Sequence, residues 1–353
     1  GMLVPQTLTL IGVTFPEKIR GRAVGIWGSI AGTASIIGPL AGGVLIDGLS
    51  WRWVFLINLP IAALVVVLGL RSLPIEMARS VRLDLVGTFL AGIGLVALLY
   101  GCLQGPHVGW DLLTIACLPF AVFCLFVFFR YERRVDPAHA VFPQSLRRNP
   151  RFLVAAVFGL FAALGVFALT FLVSNYIQSV LGQTAFWAGA ALAPASIASV
   201  VTAPIAGRWV DEGEARLVLQ IGFGASAVGT ALSMLIAAMG GSWVWFLGAT
   251  IVFGIGNGFV MAPLTTVGMT ALKGDEFGAA SSLLNVLRQT GPVLGGAIVG
   301  LLMQMLAAMP TEVDPLGLSS SVVAWVLGVP LLLFVVGLFV YSFVPRSLVS
   351  AMD

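Results

Sequence analysis

Arg288 lies inside an otherwise uncharged apolar stretch, nine residues from its start at Ala279 and so about 13.5 Å along a helix. A guanidinium at that depth in a bilayer costs at least ~3 kcal/mol, so it must face protein groups or water. Ser281, Asn285, Arg288 and Pro292 follow one another at i, i+4, i+7 and i+11, which makes a single polar stripe on a helix. Asn285, Gln289 and, from the preceding stretch, Asn257 could line one cavity with the arginine and hold a small molecule there. The same arginine could instead anchor its helix to neighbouring carbonyls. Asn175 and Gln178 form a second amide pair that could contact a substrate or simply finish a helix.

Other chemistries lack their residues. The histidines are His107 and His139, with no HExxH spacing, and neither a Gly-x-Ser-x-Gly elbow nor a P-loop Gly-Lys-Ser/Thr occurs. The sequence therefore argues against an enzyme and calls for no cofactor or metal. Cys102, Cys117 and Cys124 sit within or at the end of apolar stretches and suit packing. Asp47, Asp84 and Asp111 stand at borders, so no apolar segment holds the carboxylate that intramembrane proton coupling would use.

The elements that position these groups follow from composition. Of the 353 residues, 59% are hydrophobic and 9% charged, against about 25% charge in a soluble domain. A water-soluble globule is excluded. The apolar runs are continuous rather than alternating, which excludes a β-barrel and predicts an all-α polytopic membrane protein. The segments are 2–14, 23–46, 54–70, 85–103, 112–129, 152–175, 187–206, 217–238, 243–268, 279–305 and 322–344: about ten full spans, with a partial first one. The loops after the odd-numbered segments collect arginine and lysine, leaving Arg52 alone on the opposite side. By the positive-inside rule the basic side is the cytoplasm, the C-terminus included, and the cell membrane is the expected location. Because the basic residues hug segment ends and form no patch with exposed aromatics, nucleic acid is not an expected partner.

The chain also repeats itself. Pro5 followed by GPLAGG at Gly38–Gly43 returns as Pro263 followed by GPVLGG at Gly291–Gly296, 258 residues later at the proline and 253 at the glycines. In this register segments one to three correspond to nine to eleven, while six to eight have no partner. The repeat thus predicts three spans, on the order of 110 residues, ahead of a chain that opens Gly1-Met2, and a parent of fourteen spans. The expected domains are residues 1–74 as the end of one six-helix half, 83–131 as an inserted pair with a linker to 150, and 151–345 as the other half.

Two motifs remain. Gly28, Gly32, Gly38, Pro39, Gly42 and Gly43 cut a groove into a helix bent at the proline, against which another helix can press. Gly207, Arg208 and Asp211, followed by Arg216, make a charged loop in which Asp211 could pair with either arginine or with a helix N-terminus, or simply be solvated. From FPEKIRGRAVGIWG through GPLAGG to SWRWVFLINLP (Phe15–Pro60) the chain resembles the major facilitator superfamily, in its fourteen-helix drug:proton antiporter branch. GPLAGG is similar to that superfamily's antiporter motif, and Gly207–Arg216 to its cytoplasmic loop motif. Looser matches at Asn175–Gly182, Ala206–Arg216 and Asn285–Gly296 carry the likeness along the chain.

The resemblance implies a secondary transporter that exports drugs or other amphipathic small molecules by alternating access. Its energy would come from the proton gradient, and its partners would be the lipid bilayer, the substrate and protons, in a monomer. It also implies that the acidic and basic coupling residues belong to helices one and four, in the portion ahead of Gly1. The competing reading is a truncated or scaffold membrane protein that transports nothing.

Overall fold

The computed structural model describes residues 34, 38, 41–72, 84–108, 110–135, 142, 144–269, 277–307 and 320–343. Apolar stretches become helices because a backbone in hydrocarbon must satisfy its N–H and C=O groups within the segment. In chain order the helices are α1 (41–48), α2 (Trp51–Leu56), α3 (Asn58–Ser72), α4 (Leu85–Val108), α5 (Leu112–Glu132), α6 (Gln144–Arg148) and α7 (Pro150–Asn175), the last prolonged by a π-helical turn at Tyr176–Val180. Then come α8 (Ala185–Asp211), α9 (Ala215–Ala238), a 3₁₀ turn at Trp243–Trp245, α10 (Phe246–Met269), α11 (Phe277–Ala307), α12 (Ser320–Val326) and α13 (Gly328–Phe343). Among the described residues there is no strand, and nine helical runs are long and apolar enough to cross a bilayer. These nine coincide with nine of the ten full segments expected from hydropathy. The tenth, 23–46, falls largely outside the described residues, as do segment 2–14 and Gly28, Gly32 and Pro39 of the glycine motif.

Helix ends are placed by caps. Asn149 accepts the Phe152 N–H at 3.2 Å ahead of Pro150 in the first turn of α7, and Asp111 accepts the Thr114 N–H at 2.9 Å at the start of α5. α8 and α9 finish alike: Gly213 (φ 92°) and Gly240 (φ 67°) take the left-handed position, while Glu214 N–H donates to Trp209 O and Gly241 N–H to Ile236 O. These caps give the bundle two ends. One carries Arg130, Arg133, Arg134, Arg147, Arg148, Arg151, Arg208 and Arg216; the other carries Asp47, Trp187 and Trp243, whose rings lie 4.6 Å apart.

The core sits among α7 to α13, where a continuous cluster runs from Phe158 through Phe223 and Phe253 to Tyr341. The close approaches there are made at glycines. A Cβ on Gly229 of α9 would lie 2.5 Å from the Phe253 nitrogen of α10, and one on Gly222 would lie 2.7 Å from a Val260 methyl. Several polar groups inside this core find backbone partners. Thr250 donates to Ala191 O of α8 at 2.8 Å, and Thr230 to Ser226 O at 2.7 Å. The pair α4–α5 packs on itself and reaches the rest through α4 against α11. Its basic end is tied down by Tyr131, which donates to Asp84 at 3.1 Å, and by Arg147, which donates to the Glu132 carbonyl at 3.1 Å.

Gly229→Val should therefore lower the unfolding free energy in detergent by about 1–3 kcal/mol, the cost of overpacking. Gly248→Val, on the same helix pair but with no atom within 4 Å of its Cβ position, should stay within about 0.5 kcal/mol of wild type. Equal effects in the two variants would deny that the glycines set the α9–α10 spacing.

Candidate functional site

Three groups of residues carry the chemistry expected from sequence, and the structure places them separately. The first is the glycine motif. Gly38 and Gly42 face open space, whereas Gly43 is buried. A Cβ on Gly43 would lie 2.7 Å from the Phe186 Cα and 3.0 Å from the Ala185 carbonyl oxygen, so α1 crosses the first turn of α8 backbone to backbone. One turn on, on the same face, Asp47 Oδ2 accepts the Phe186 N–H at 2.9 Å across a sequence separation of 139 residues. The Thr184 hydroxyl and the Ala185 N–H donate to the same carboxylate. Together with Phe186 they hold its carboxyl below the ordinary value, the Thr184 bond contributing most. A lowered carboxyl pKa means that these bonds are fully formed above the ordinary value and are lost only as pH falls through the lowered one. Asp47 counted in the sequence only as a border carboxylate. Nothing local reveals a partner so far along the chain.

The repeated element behaves differently. Gly291 of α11 meets the Leu160 carbonyl and the Ala163 Cβ, each at 2.9 Å from its Cβ position, and Gly296 meets the Phe167 ring at 3.2 Å. The GPVLGG copy thus packs within the α7–α13 bundle, while the GPLAGG copy reaches across to it.

The second group surrounds Arg288. Its guanidinium donates to the Met261 carbonyl and the Thr265 hydroxyl of α10, two residues to either side of Pro263. The Thr265 hydroxyl donates in turn to Met261 O at 3.0 Å. The arginine is thereby compensated by the neighbouring helix, as its depth demands. Asn257 donates to the Ser199 hydroxyl at 3.4 Å, Gln178 to the Ser174 hydroxyl at 2.9 Å, and Gln289 is exposed. Asn285 is half-buried on the Arg288 stripe. The Oδ1 atoms of Asn175 and Asn257 are buried without a hydrogen bond, two acceptors available to a donor from outside the chain.

A cavity of about 480 Å³ lies elsewhere, between α4, α5, α7 and α11. It is lined by Ala279, Leu283, Val286 and Thr290, each displaced by two residues, about 200°, from the polar stripe. Arg288, Asn285, Gln289 and Asn257 do not line it. Its Thr88 and Thr290 hydroxyls donate to Asp84 O at 2.7 Å and Val286 O at 2.9 Å on their own helices, which leaves apolar walls.

The third group corrects two expectations. Gly207, Arg208 and Asp211 belong to no loop: α8 continues through all three and turns at Gly213. Arg216 donates to the Tyr341 carbonyl at 3.1 Å and to the Ser342 carbonyl, rather than to Asp211. The last carbonyls of α13 have no helical partner of their own, and a cation meets them at the favourable end of the helix dipole. Helix α5 likewise runs past the expected border at 129 to Glu132, whose buried carboxylate accepts the Phe142 N–H at 3.2 Å.

Comparison with known proteins matches the chain to the Major Facilitator Superfamily over residues 1–84 and 78–296. It is 32% identical over 322 residues to an uncharacterized MFS-type transporter of Mycobacterium tuberculosis, covering 90% of this chain and 55% of the relative. It is 32% identical over 297 residues to the multidrug resistance protein Stp of M. tuberculosis, covering 83% of this chain and 55% of that one. Its identity to the puromycin resistance protein pur8 of Streptomyces alboniger is 33% over 312 residues, covering 84% and 60% respectively. The chain thus spans a little over half the length of these relatives.

Arg216→Met should destabilise the protein by about 1.5–3 kcal/mol through the lost charge-assisted bonds, and Asp211→Asn by less than about 0.5 kcal/mol. Chemical denaturation in detergent checks the order. The reverse order would restore the pairing of Asp211 expected from the sequence.

Proposed function

The chain belongs to the major facilitator superfamily, and we propose that it serves the export of drugs or other amphipathic small molecules across the cell membrane by alternating access. It is a multi-pass membrane protein whose surroundings are lipid. In this reading residues 1–74 end one six-helix half, 83–131 are the inserted pair and 151–345 form the other half. The basic end, with the C-terminus, faces the cytoplasm. The protein acts as a monomer, without enzymatic turnover or a cofactor, on the energy of the proton gradient.

The observation that carries the reading is the junction of α1 with α8. Gly43 and Asp47 bring residues of one proposed half onto the first turn of a helix of the other, at the end opposite the basic loops. A contact between the two halves confined to one end of the helices is what rocking about a midplane site can open and close. The names of the relatives, a multidrug resistance protein and a puromycin resistance protein, favour transport over a scaffold and a small organic molecule as cargo. Arg288 would hold α10 at its Pro263 bend, with Asn257 and Asn175 supplying amide oxygens to the cargo. Amide acceptors without fixed partners suit many molecules, which fits a resistance transporter.

Uptake of a fluorescent amphipathic cation into inverted vesicles carrying the full-length protein tests this. Arg288→Ala should lower the initial rate by about tenfold, the equivalent of roughly 1.4 kcal/mol and of one lost charge-assisted bond. Gly43→Leu should abolish uptake while insertion into the membrane persists. Wild-type uptake that is absent, or equal in all three proteins, would overturn the reading.

A further inference from the structure

The first turn of α8 is capped in an unusual way. Thr184 occupies the N-cap position with extended backbone (φ −74°, ψ 165°), yet its side chain makes no capping bond to its own helix. A threonine there ordinarily accepts an N–H from the second or third residue of the helix. Here the second residue is Phe186, and its N–H is taken by Asp47 of α1, to which the Thr184 hydroxyl also turns. The first turn of α8 contains no acid of its own. Gly43, one turn before Asp47, has no side chain to hold α1 away from Phe186. The helix end is thus complete only while α1 lies against it.

We propose that Asp47 is the latch of the end opposite the basic loops. It lends α8 the cap that Thr184 does not supply, and it releases that cap whenever α1 and α8 separate there. This rests on the alternating-access reading above and adds a residue to it. An ordinary N-cap stabilises one helix in every conformation. A cap supplied by another part of the chain stabilises only the conformation in which the two parts touch. Asp47 is in that sense a positioning residue, with no contact to cargo required. Its exposure suits the role, since water can take over both the carboxylate and the freed amide when the contact opens.

The test uses the full-length protein in sealed vesicles, with Cys102, Cys117 and Cys124 replaced and a single reporter, Ala190→Cys, one turn below Phe186 on the same face of α8. A membrane-impermeant maleimide added from the Asp47 side reads how often this end stands open. Asp47→Ala should raise the labelling rate several-fold, and Asp47→Asn, which keeps one acceptor oxygen, should raise it less. Adding Thr184→Asp to Asp47→Ala gives α8 a cap of its own. Thermal stability should then recover while labelling stays fast. Labelling that is unchanged in Asp47→Ala, or that returns to the wild-type rate with Thr184→Asp, would overturn the proposal and leave Asp47 an ordinary helix cap. A substrate gradient applied to the wild-type reporter separates the two claims. If labelling ignores the gradient but rises in Asp47→Ala, the latch stands and the transport reading falls.

Discussion

Everything in this structure follows from the need to satisfy backbone polar groups where no water reaches them. The requirement makes each apolar stretch a helix and lets the helices approach closely at glycines such as Gly222 and Gly229. It leaves one problem, the helix ends, where four N–H or four C=O groups have no partner within the helix. Most ends here are solved locally, by Asn149, Asp111, Gly213 or Gly240. Two are solved from a distance, and those two hold the elements in place. Arg216 closes the last carbonyls of α13 from 125 residues away, and Asp47 closes the Phe186 amide in the first turn of α8 from 139.

Those distances explain what could be read beforehand. Hydropathy located nine spans to within a few residues because the signal is local: apolar length measured against bilayer thickness. Arg288 was legible as a residue in need of partners, since depth alone makes an unpartnered guanidinium untenable. That the partners are Met261 O and Thr265 was not, because the choice depends on how α10 lies beside α11. The charged string Gly207–Asp211 misled for a related reason. Its polarity suggested a loop, yet a helix can carry charge on its last turn once it has left the hydrocarbon, and Gly213 marked the true end. Asp47 sat in plain view as a border carboxylate, and only the packing of α1 on α8 gives it a role.

The repeat shows how one motif can serve two ends. GPVLGG lets α11 close on α7 inside a single bundle, a contact among buried residues. Among the described residues of GPLAGG, Gly43 meets α8 while Gly38 and Gly42 face open space, and the Asp47 bond beside it is exposed and accessible to water. A wet contact is easily broken and remade. A dry one is not. Membership of the major facilitator superfamily and the resistance proteins among the relatives are consistent with a molecule that keeps its bundles rigid and the contact between them cheap to open.

The measurement that bears most directly on this account is the distance between spin labels at Gly48→Cys and Gln183→Cys, exposed positions flanking the α1–α8 contact, in the full-length protein in lipid nanodiscs. Two populations, a short distance matching this structure and a longer one, exchanging weight as an amphipathic substrate and the pH are varied, are what the account predicts. A single short distance under every condition would contradict it, because α1 and α8 would then be one rigid body and the contact a permanent part of the fold.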